Sequence, residues 1–364
     1  MRRVWMAAVL ITILVFPMVG QAKPGVSAQN AVLIEQSSGR ILFAKNAHEK
    51  QPIASITKIM TAIIAIESGK MQETVTASKR AVHIDGSSIY LKQGETMKME
   101  DLVYGLMLRS GNDAAIAISE HIGGSVEGFV HLMNEKARWL GMTNTHFSNP
   151  HGLDEDKHYS TAYDMAILMQ YAMTNEQFQT ITKAQTYKAE TRSYAWQNKN
   201  KLLTSYYKYC TGGKTGFTSK SGRTLVSSAS KKNMDLIAVT LNAPDDWRDH
   251  IGMYEWAYEK YSMHTLAEKG EKLYLLDHTD ESITGYLYRE KKYPLSDREF
   301  KTLHTQSMFY QIENIKQDII GKTVFYLDSE PIEETMIYAN EIPQEQESIF
   351  TKAVSIYKQI VKVE

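Results

Sequence analysis

The chain has 364 residues, 43% of them hydrophobic and 23% charged, which suits a packed core and excludes a wholly disordered protein. Its 41 lysines and arginines face 42 acidic residues, so a formal charge of −1 supplies no global field for nucleic acid. A single cysteine, Cys210, excludes a disulfide framework and a zinc ribbon.

The first residues read as a secretory signal. Arg2 and Arg3 precede an apolar run from Val4 to Gly20, and two small-residue patterns follow, Gly20-Gln21-Ala22 and Val26-Ser27-Ala28. Residues 1–28 are therefore read as a signal peptide cleaved after 22 or 28. An uncleaved anchor is the rival, disfavoured by Pro17 and by a run at the short end for spanning. Either way the protein is expected to work outside, at the outer face of the cytoplasmic membrane or in the wall.

From Ala31 to Ala44 two apolar strands flank the turn Ser37-Ser38-Gly39-Arg40, a β-hairpin signature. Residues 54–68 carry Ile56, Ile59, Met60, Ile63, Ile64 and Ile66 at helical spacing, apolar nearly all round, so a buried helix is expected. Residues 100–122 and 125–140 read as two helices split by Gly123-Gly124. Another runs from Tyr163 to Met173, with a short continuation at 175–180. A strand-rich stretch opens near Thr186 and includes Thr224-Leu225-Val226 and Leu236 to Leu241, before helical spacing returns at Trp247 to Tyr261. The sum is an α+β body over residues 29–265 with a largely antiparallel sheet.

Beyond it, Leu273 to Leu276, Ile283 to Tyr288 and Thr323 to Leu327 are short alternating runs, read as a small all-β domain over 266–341. Within 342–364, Ile349, Phe350, Ala353, Val354, Tyr357, Ile360 and Val361 share one helical face beside Lys352, Lys358 and Lys362. That tail suits an interfacial helix on an anionic membrane or a helix packed on its own domain.

Three motifs carry chemistry. In Ser55-Ile56-Thr57-Lys58 the hydroxyl and amine share a helix face, and a desolvated lysine beside other cations can lose its proton and activate the serine. The same spacing recurs at Ser205, Ser228 and Ser355, so context singles out Ser55: Pro52 and Ala54 before it, a buried helix after it. In Ser110-Gly111-Asn112, at the end of the helix ending in Met107-Leu108-Arg109, a hydroxyl can relay a proton and an amide can hold a peptide carbonyl. Taken alone that triplet is an ordinary helix C-cap. Lys214-Thr215-Gly216, followed by Phe217, lies in a strand where a substrate backbone could align while lysine and threonine take a carboxylate. A phosphate loop would need glycine at 208, which is Lys208.

In this order the three motifs match the S-x-x-K, S-x-N and K-T-G set of penicillin-interacting serine enzymes. With the stretches Pro52 to Thr61, Leu108 to Ala115 and Phe147 to Leu153, the chain resembles the low-molecular-weight D-alanyl-D-alanine carboxypeptidases over about residues 30–265. The resemblance implies that fold, followed by the β domain and tail. It also implies removal of the last D-alanine from peptidoglycan stem peptides, inhibition by β-lactams, and no cofactor, metal or nucleic-acid partner. Ser55 would be the acyl-ester nucleophile, Lys58 the proton acceptor and Ser110 the proton relay. Asn112 would hold the substrate amide, Lys214, Thr215 and Gly216 would line the carboxylate site, and the backbone N–H of Ser55 and Phe217 would form the oxyanion hole. Some relatives carry histidine where Phe217 stands, which leaves a backbone donor but removes that side chain. Residues 227–236 and Asp245-Asp246-Trp247 resemble Gram-positive members, some of them sporulation enzymes.

Several rivals stay open. A β-lactamase would need a deacylating glutamate, and no acidic residue between Ser110 and Lys214 has the glutamate-x-x-leucine-asparagine context. His146, His151, Asp154 and His158 could be called a metal cluster, but none of the histidines are spaced i, i+4 and no H-E-x-x-H occurs. Cys210 has no organised histidine beside it for thiol catalysis. A non-catalytic wall-binding protein of the same fold is the reading without turnover.

Overall fold

The computed structural model describes residues 23–275, 282–310 and 318–341. The expected leader core and the tail helix at 349–363 lie outside the described residues.

A five-stranded antiparallel sheet organises the larger part. Its strands are β1 (Asn30–Glu35), β2 (Ile41–Lys45), β3 (Cys210–Thr218), β4 (Gly222–Lys231) and β5 (Met234–Leu241), in the spatial order β2-β1-β5-β4-β3. The hairpin expected at 31–44 is thus β1–β2, and the chain's first strand is held by β5, the last strand of this sheet in chain order. Both faces of the sheet are covered, which is why β1 is buried at every position rather than at alternate ones. Val32, Ile34, Val226, Ile237 and Val239 enter one core, and Ala31, Leu33, Leu225, Leu236 and Ala238 enter the other.

On the first face lie α1 (Lys58–Glu67), α2 (Asn112–Gly123), α3 (Val126–Trp139) and α4 (Ala162–Ala172); on the second lies α5 (Asp246–Lys260). The apolar run expected to make a buried helix does so: every residue from Lys58 to Ile66 is buried. It begins with a 3-10 turn at Ala54–Thr57, where Ala54 has φ 49°.

Two expectations are corrected. Residues 100–122 are not one helix. Met99–Tyr104 passes into a wide turn at Gly105–Arg109, Ser110 takes the left-handed conformation (φ 64°), and α2 starts afresh at Asn112. The stretch after Thr186 is not strand-rich at first: it holds two-residue strands at Thr186–Tyr187 and Trp196–Gln197 and a helical turn at Leu202–Tyr206 before β3.

The strands after α5 are β6 (Ser262–Ala267), β7 (Gly270–Leu275), β8 (Ser282–Leu287), β9 (Lys291–Leu295), β10 (Leu303–Phe309), β11 (Ile319–Leu327) and β12 (Glu330–Tyr338). β6 pairs with β9, while the others form a sheet in the order β7-β8-β12-β11-β10 around Tyr274, Leu287, Ile320, Phe325 and Ile337. Arg40, in the β1–β2 turn, reaches this part: it bonds Glu299 at 2.5 Å and lies over the rings of Tyr261 and Tyr293. Among the described residues no helix is long and apolar enough to cross a membrane.

Candidate active site

The three sequence motifs converge on one cleft of about 500 Å³, lined by Ser55, Ser110, Thr215, Gly216 and Phe217 together with Lys199, Arg223 and Trp247. Lys58, Asn112 and Lys214 sit directly behind it, each buried.

On the helical wall, Ser55 lies in the 3-10 turn and Lys58 opens α1, so the i, i+3 spacing turns both toward the cleft. Lys58 Nζ is 3.0 Å from Ser55 Oγ, 2.7 Å from Asn112 Oδ1 and 2.5 Å from the His151 carbonyl oxygen. Asn112 donates from Nδ2 to the Asp85 carbonyl, which fixes Oδ1 toward the lysine. Two of the three partners of Lys58 can only accept. A neutral amine with two N–H groups and one lone pair satisfies all three if Ser55 donates its proton to nitrogen. Electrostatics agree: burial, followed by the charges of Lys214 and Lys199, holds Lys58 well below the usual lysine range.

The strand wall is β3, an edge strand. Lys214 Nζ donates to Ser110 Oγ at 3.1 Å and to the Thr215 carbonyl at 2.7 Å. Burial, followed by the charge of Lys199, pulls its pKa down to about 7. Gly213 N–H points off the sheet to Thr182 Oγ1 (2.9 Å), so by strand alternation the N–H groups of Thr215 and Phe217 also face the open edge. Gly216 is where β3 touches the turn that carries Ser55: a Cβ there would stand 2.8 Å from Ser55 N and 2.4 Å from Thr224 Oγ1. The Phe217 side chain, by contrast, is 67% exposed.

Ser110 joins the two walls. Its left-handed backbone ends the turn at Arg109 and swings the hydroxyl toward Lys214 while Asn112, two residues on, faces Lys58. The next residue fixes this corner: the Asp113 carboxylate accepts from Ser88 Oγ and from the backbone N–H of Ile89 and Leu91.

Some contributors carry no signal in the sequence. His151 acts through its main-chain carbonyl, which any residue has. Gly152 has φ 88°, and a Cβ there would stand 2.0 Å from the Ala54 carbonyl oxygen, so the loop seats against the Ala54–Thr57 turn only with glycine. Lys199 donates to Ser87 Oγ at 3.1 Å, and Arg223, paired to Asp246, lies over the Trp247 ring. They come from segments far apart in the chain, with no motif of their own.

The histidines of the 146–158 loop serve that loop. His158 bonds Thr57 Oγ1 at 2.8 Å and accepts from Ser148 N–H; His151 Nδ1 accepts from Leu153 N–H. Burial lowers their pKa values to about 4 and about 3, leaving neutral rings. Among the described residues no group of three or more His, Cys, Asp or Glu could hold a metal ion. Cys210 is buried, and burial pushes its thiol up to about 12, far from a nucleophilic thiolate.

The family model for D-alanyl-D-alanine carboxypeptidases, peptidase S11, matches residues 18–245. The chain belongs to this family. It is 38% identical over 257 residues to D-alanyl-D-alanine carboxypeptidase DacF of Bacillus subtilis, covering 67% of this chain and 65% of that protein. Against DacA of Haemophilus influenzae it is 31% identical over 351 residues, covering 86% and 84%. Among solved structures, penicillin binding protein 5 from Haemophilus influenzae superposes with a TM-score of 0.76 at 28% identity, over 89% of this chain and 100% of that one. A serine-to-alanine mutant of the Streptomyces K15 DD-transpeptidase gives 0.62 at 30% identity, over 65% and 100%. The matched part thus spans just under two thirds of the Bacillus protein's length and most of the Haemophilus protein's.

Proposed function

We propose that this family member is an exported serine D-Ala-D-Ala carboxypeptidase that trims the terminal D-alanine from peptidoglycan stem peptides and is acylated by β-lactams. The observation that carries the reading is the contact between Ser55 Oγ and the buried Lys58 Nζ at 3.0 Å, with burial and the charges of Lys214 and Lys199 lowering the lysine's pKa, and Ser55 the one of its three partners that can also donate.

The substrate enters as an added strand along the open edge of β3. Its terminal carboxylate meets Lys214, which regains a full charge beside an anion, and Thr215. Asn112 holds the amide on the other side of the scissile bond. Ser55 attacks the carbonyl as its proton passes to Lys58, and the developing oxyanion is held by the N–H groups of Ser55 and Phe217, each worth about 3 kcal/mol. Ser110, hydrogen-bonded to Lys214, relays a proton to the departing D-alanine amine. Water, activated by the same groups, then cleaves the ester. Gly216 belongs to the site through its lack of a side chain, which lets β3 approach Ser55. The chain is read as a catalytic body over 29–265, a small β domain over 266–341 and a C-terminal segment whose apolar face suits a membrane surface.

The test is intact-protein mass spectrometry with benzylpenicillin, followed by peptide mapping, alongside D-alanine release from a synthetic peptide ending in D-Ala-D-Ala. A lasting adduct on the Ser55 peptide, loss of both signals in Ser55→Ala and steady D-alanine release are expected. Hydrolysed drug without an adduct would reassign the chain as a β-lactamase. Intact drug with unmodified Ser55 would sink the nucleophile assignment.

A further inference from the structure

We propose that export cuts the chain between Ala22 and Lys23, and that Val26-Ser27-Ala28, the other small-residue pattern, is a structural part of the mature enzyme. The proposal rests on the reading of residues 1–22 as a leader. Both sites satisfy the small-residue rule for a leader peptidase, so the sequence alone does not separate them. The fold does.

Residues 27 and 28 are bound to α5. The Asp249 carboxylate accepts from Ser27 N–H (2.7 Å), Ser27 Oγ (2.8 Å) and Ala28 N–H (3.0 Å). Asp249 is itself only 5% exposed. Ser27 Oγ also accepts from the backbone N–H of Asp245, at the start of α5. From the other side Lys45, at the end of β2, donates to the carbonyls of Val26 (3.1 Å) and Ala28 (2.6 Å). The Ala28 side chain is fully buried in the core beneath α5.

A cut after Ala28 would remove every one of these partners. It would leave a buried carboxylate without the donors that surround it, strip Lys45 of both carbonyls and open a hole where Ala28 packs. A cut after Ala22 removes none of them. Residues 23–28 have no regular secondary structure, Lys23 and Gly25 are exposed, and a Cβ at Gly25 would meet nothing within 4 Å, so the body first takes hold of the chain at Val26. The reaction is ordinary peptide hydrolysis: water adds across the Ala22–Lys23 bond, leaving a carboxylate on Ala22 and a free amine on Lys23. The peptidase acts on a chain not yet folded and reads only small residues. Asp249 and Lys45 explain why the downstream pattern must survive in the product.

Full-length protein is expressed in a bacterial host that exports it, and the product outside the membrane is characterised by N-terminal sequencing and intact mass. The expected first residue is Lys23. Ala22→Arg, placed in the expected leader and outside the described body, should abolish the mature species and accumulate precursor. A first residue of Gln29, or unchanged processing of Ala22→Arg, would overturn the proposal, and so would an uncut chain. Benzylpenicillin labelling of the same sample reports on Ser55 independently, so failure of the processing site and failure of the enzyme assignment read out separately.

Discussion

The cleft has two walls, and each brings a buried lysine to a serine hydroxyl, yet the two lysines stand in different surroundings. On the helical wall Lys58 meets two carbonyl-type acceptors and Ser55, at the end of a polar chain that runs through Asn112 to the Asp85 carbonyl. On the strand wall Lys214 bonds, among the described residues, only Ser110 and the Thr215 carbonyl, and it stands beside an open strand edge. Burial lowers both, but Lys58 is held well below its usual range, whereas Lys214 comes down only to about 7. A group near 7 beside an open edge is poised to become a cation when an anion arrives, while one whose burial disfavours its charged form is suited to the role of proton acceptor. Lys199, at the cleft mouth, acts on both alike, since its charge disfavours protonation of each.

The largest break in that contrast is to delete the proposed base. Lys58→Met keeps the length and apolar character of the side chain while removing the proton acceptor. Loss of a positioned general base costs about 10²–10⁴-fold. The acylation rate of Ser55 by benzylpenicillin, followed by stopped-flow fluorescence or quenched mass spectrometry, should fall within that span. A loss below tenfold would move the base elsewhere, Lys214 being the obvious heir.

How far this contrast can be seen in the chain alone depends on what kind of group carries it. Ser55, Lys58, Ser110, Asn112, Lys214 and Thr215 act through side chains at fixed local spacings, and those spacings are legible. So are the hairpin at 31–44 and the buried helix after Ser55, because both rest on short-range apolar periodicity. The His151 carbonyl is invisible because main-chain oxygens have no residue type. The break at Ser110 is hidden because the residues on both sides favour a helix; the chain leaves it only because long-range partners such as Asp113, with its bonds to Ser88, Ile89 and Leu91, pin the corner. Lys199 is hidden for a third reason: its effect is a field across the cleft, and only the fold sets its distance from the two lysines.

A sharper test addresses the strand wall through pH. With Lys214 near 7 in the free enzyme, protonated below that value and neutral above it, capture of a carboxylate substrate should weaken as pH rises. The kcat/KM profile, which reports the free enzyme, should therefore carry an alkaline limb centred near pH 7. In kcat the limb should move to higher pH, because the bound carboxylate favours the charged lysine. Lys214→Arg supplies a cation that does not deprotonate in this range. Its absolute rate should drop, since a guanidinium does not fit an ammonium's place, but the limb near 7 should vanish. Persistence of the limb in that variant would assign it to another group.

The smallest effect separates backbone from side chain at position 217. Where some relatives carry histidine this chain has an exposed phenylalanine, so the proposed contribution of the residue is its N–H alone. Phe217→Ala should therefore change kcat/KM by no more than about twofold, the scale of an ordinary surface substitution. Phe217→Pro deletes the N–H itself. On an edge strand proline is tolerated where the lost donor faces away from the ladder, and position 217 shares that orientation with Gly213, whose N–H leaves the sheet for Thr182. The proline variant should then keep its melting temperature within a few degrees yet lose about 10²–10³-fold in acylation, the usual effect of removing one oxyanion donor. Equal, small losses in both variants would show that the oxyanion is held without Phe217. A large loss in alanine would instead place the aromatic ring in contact with the substrate.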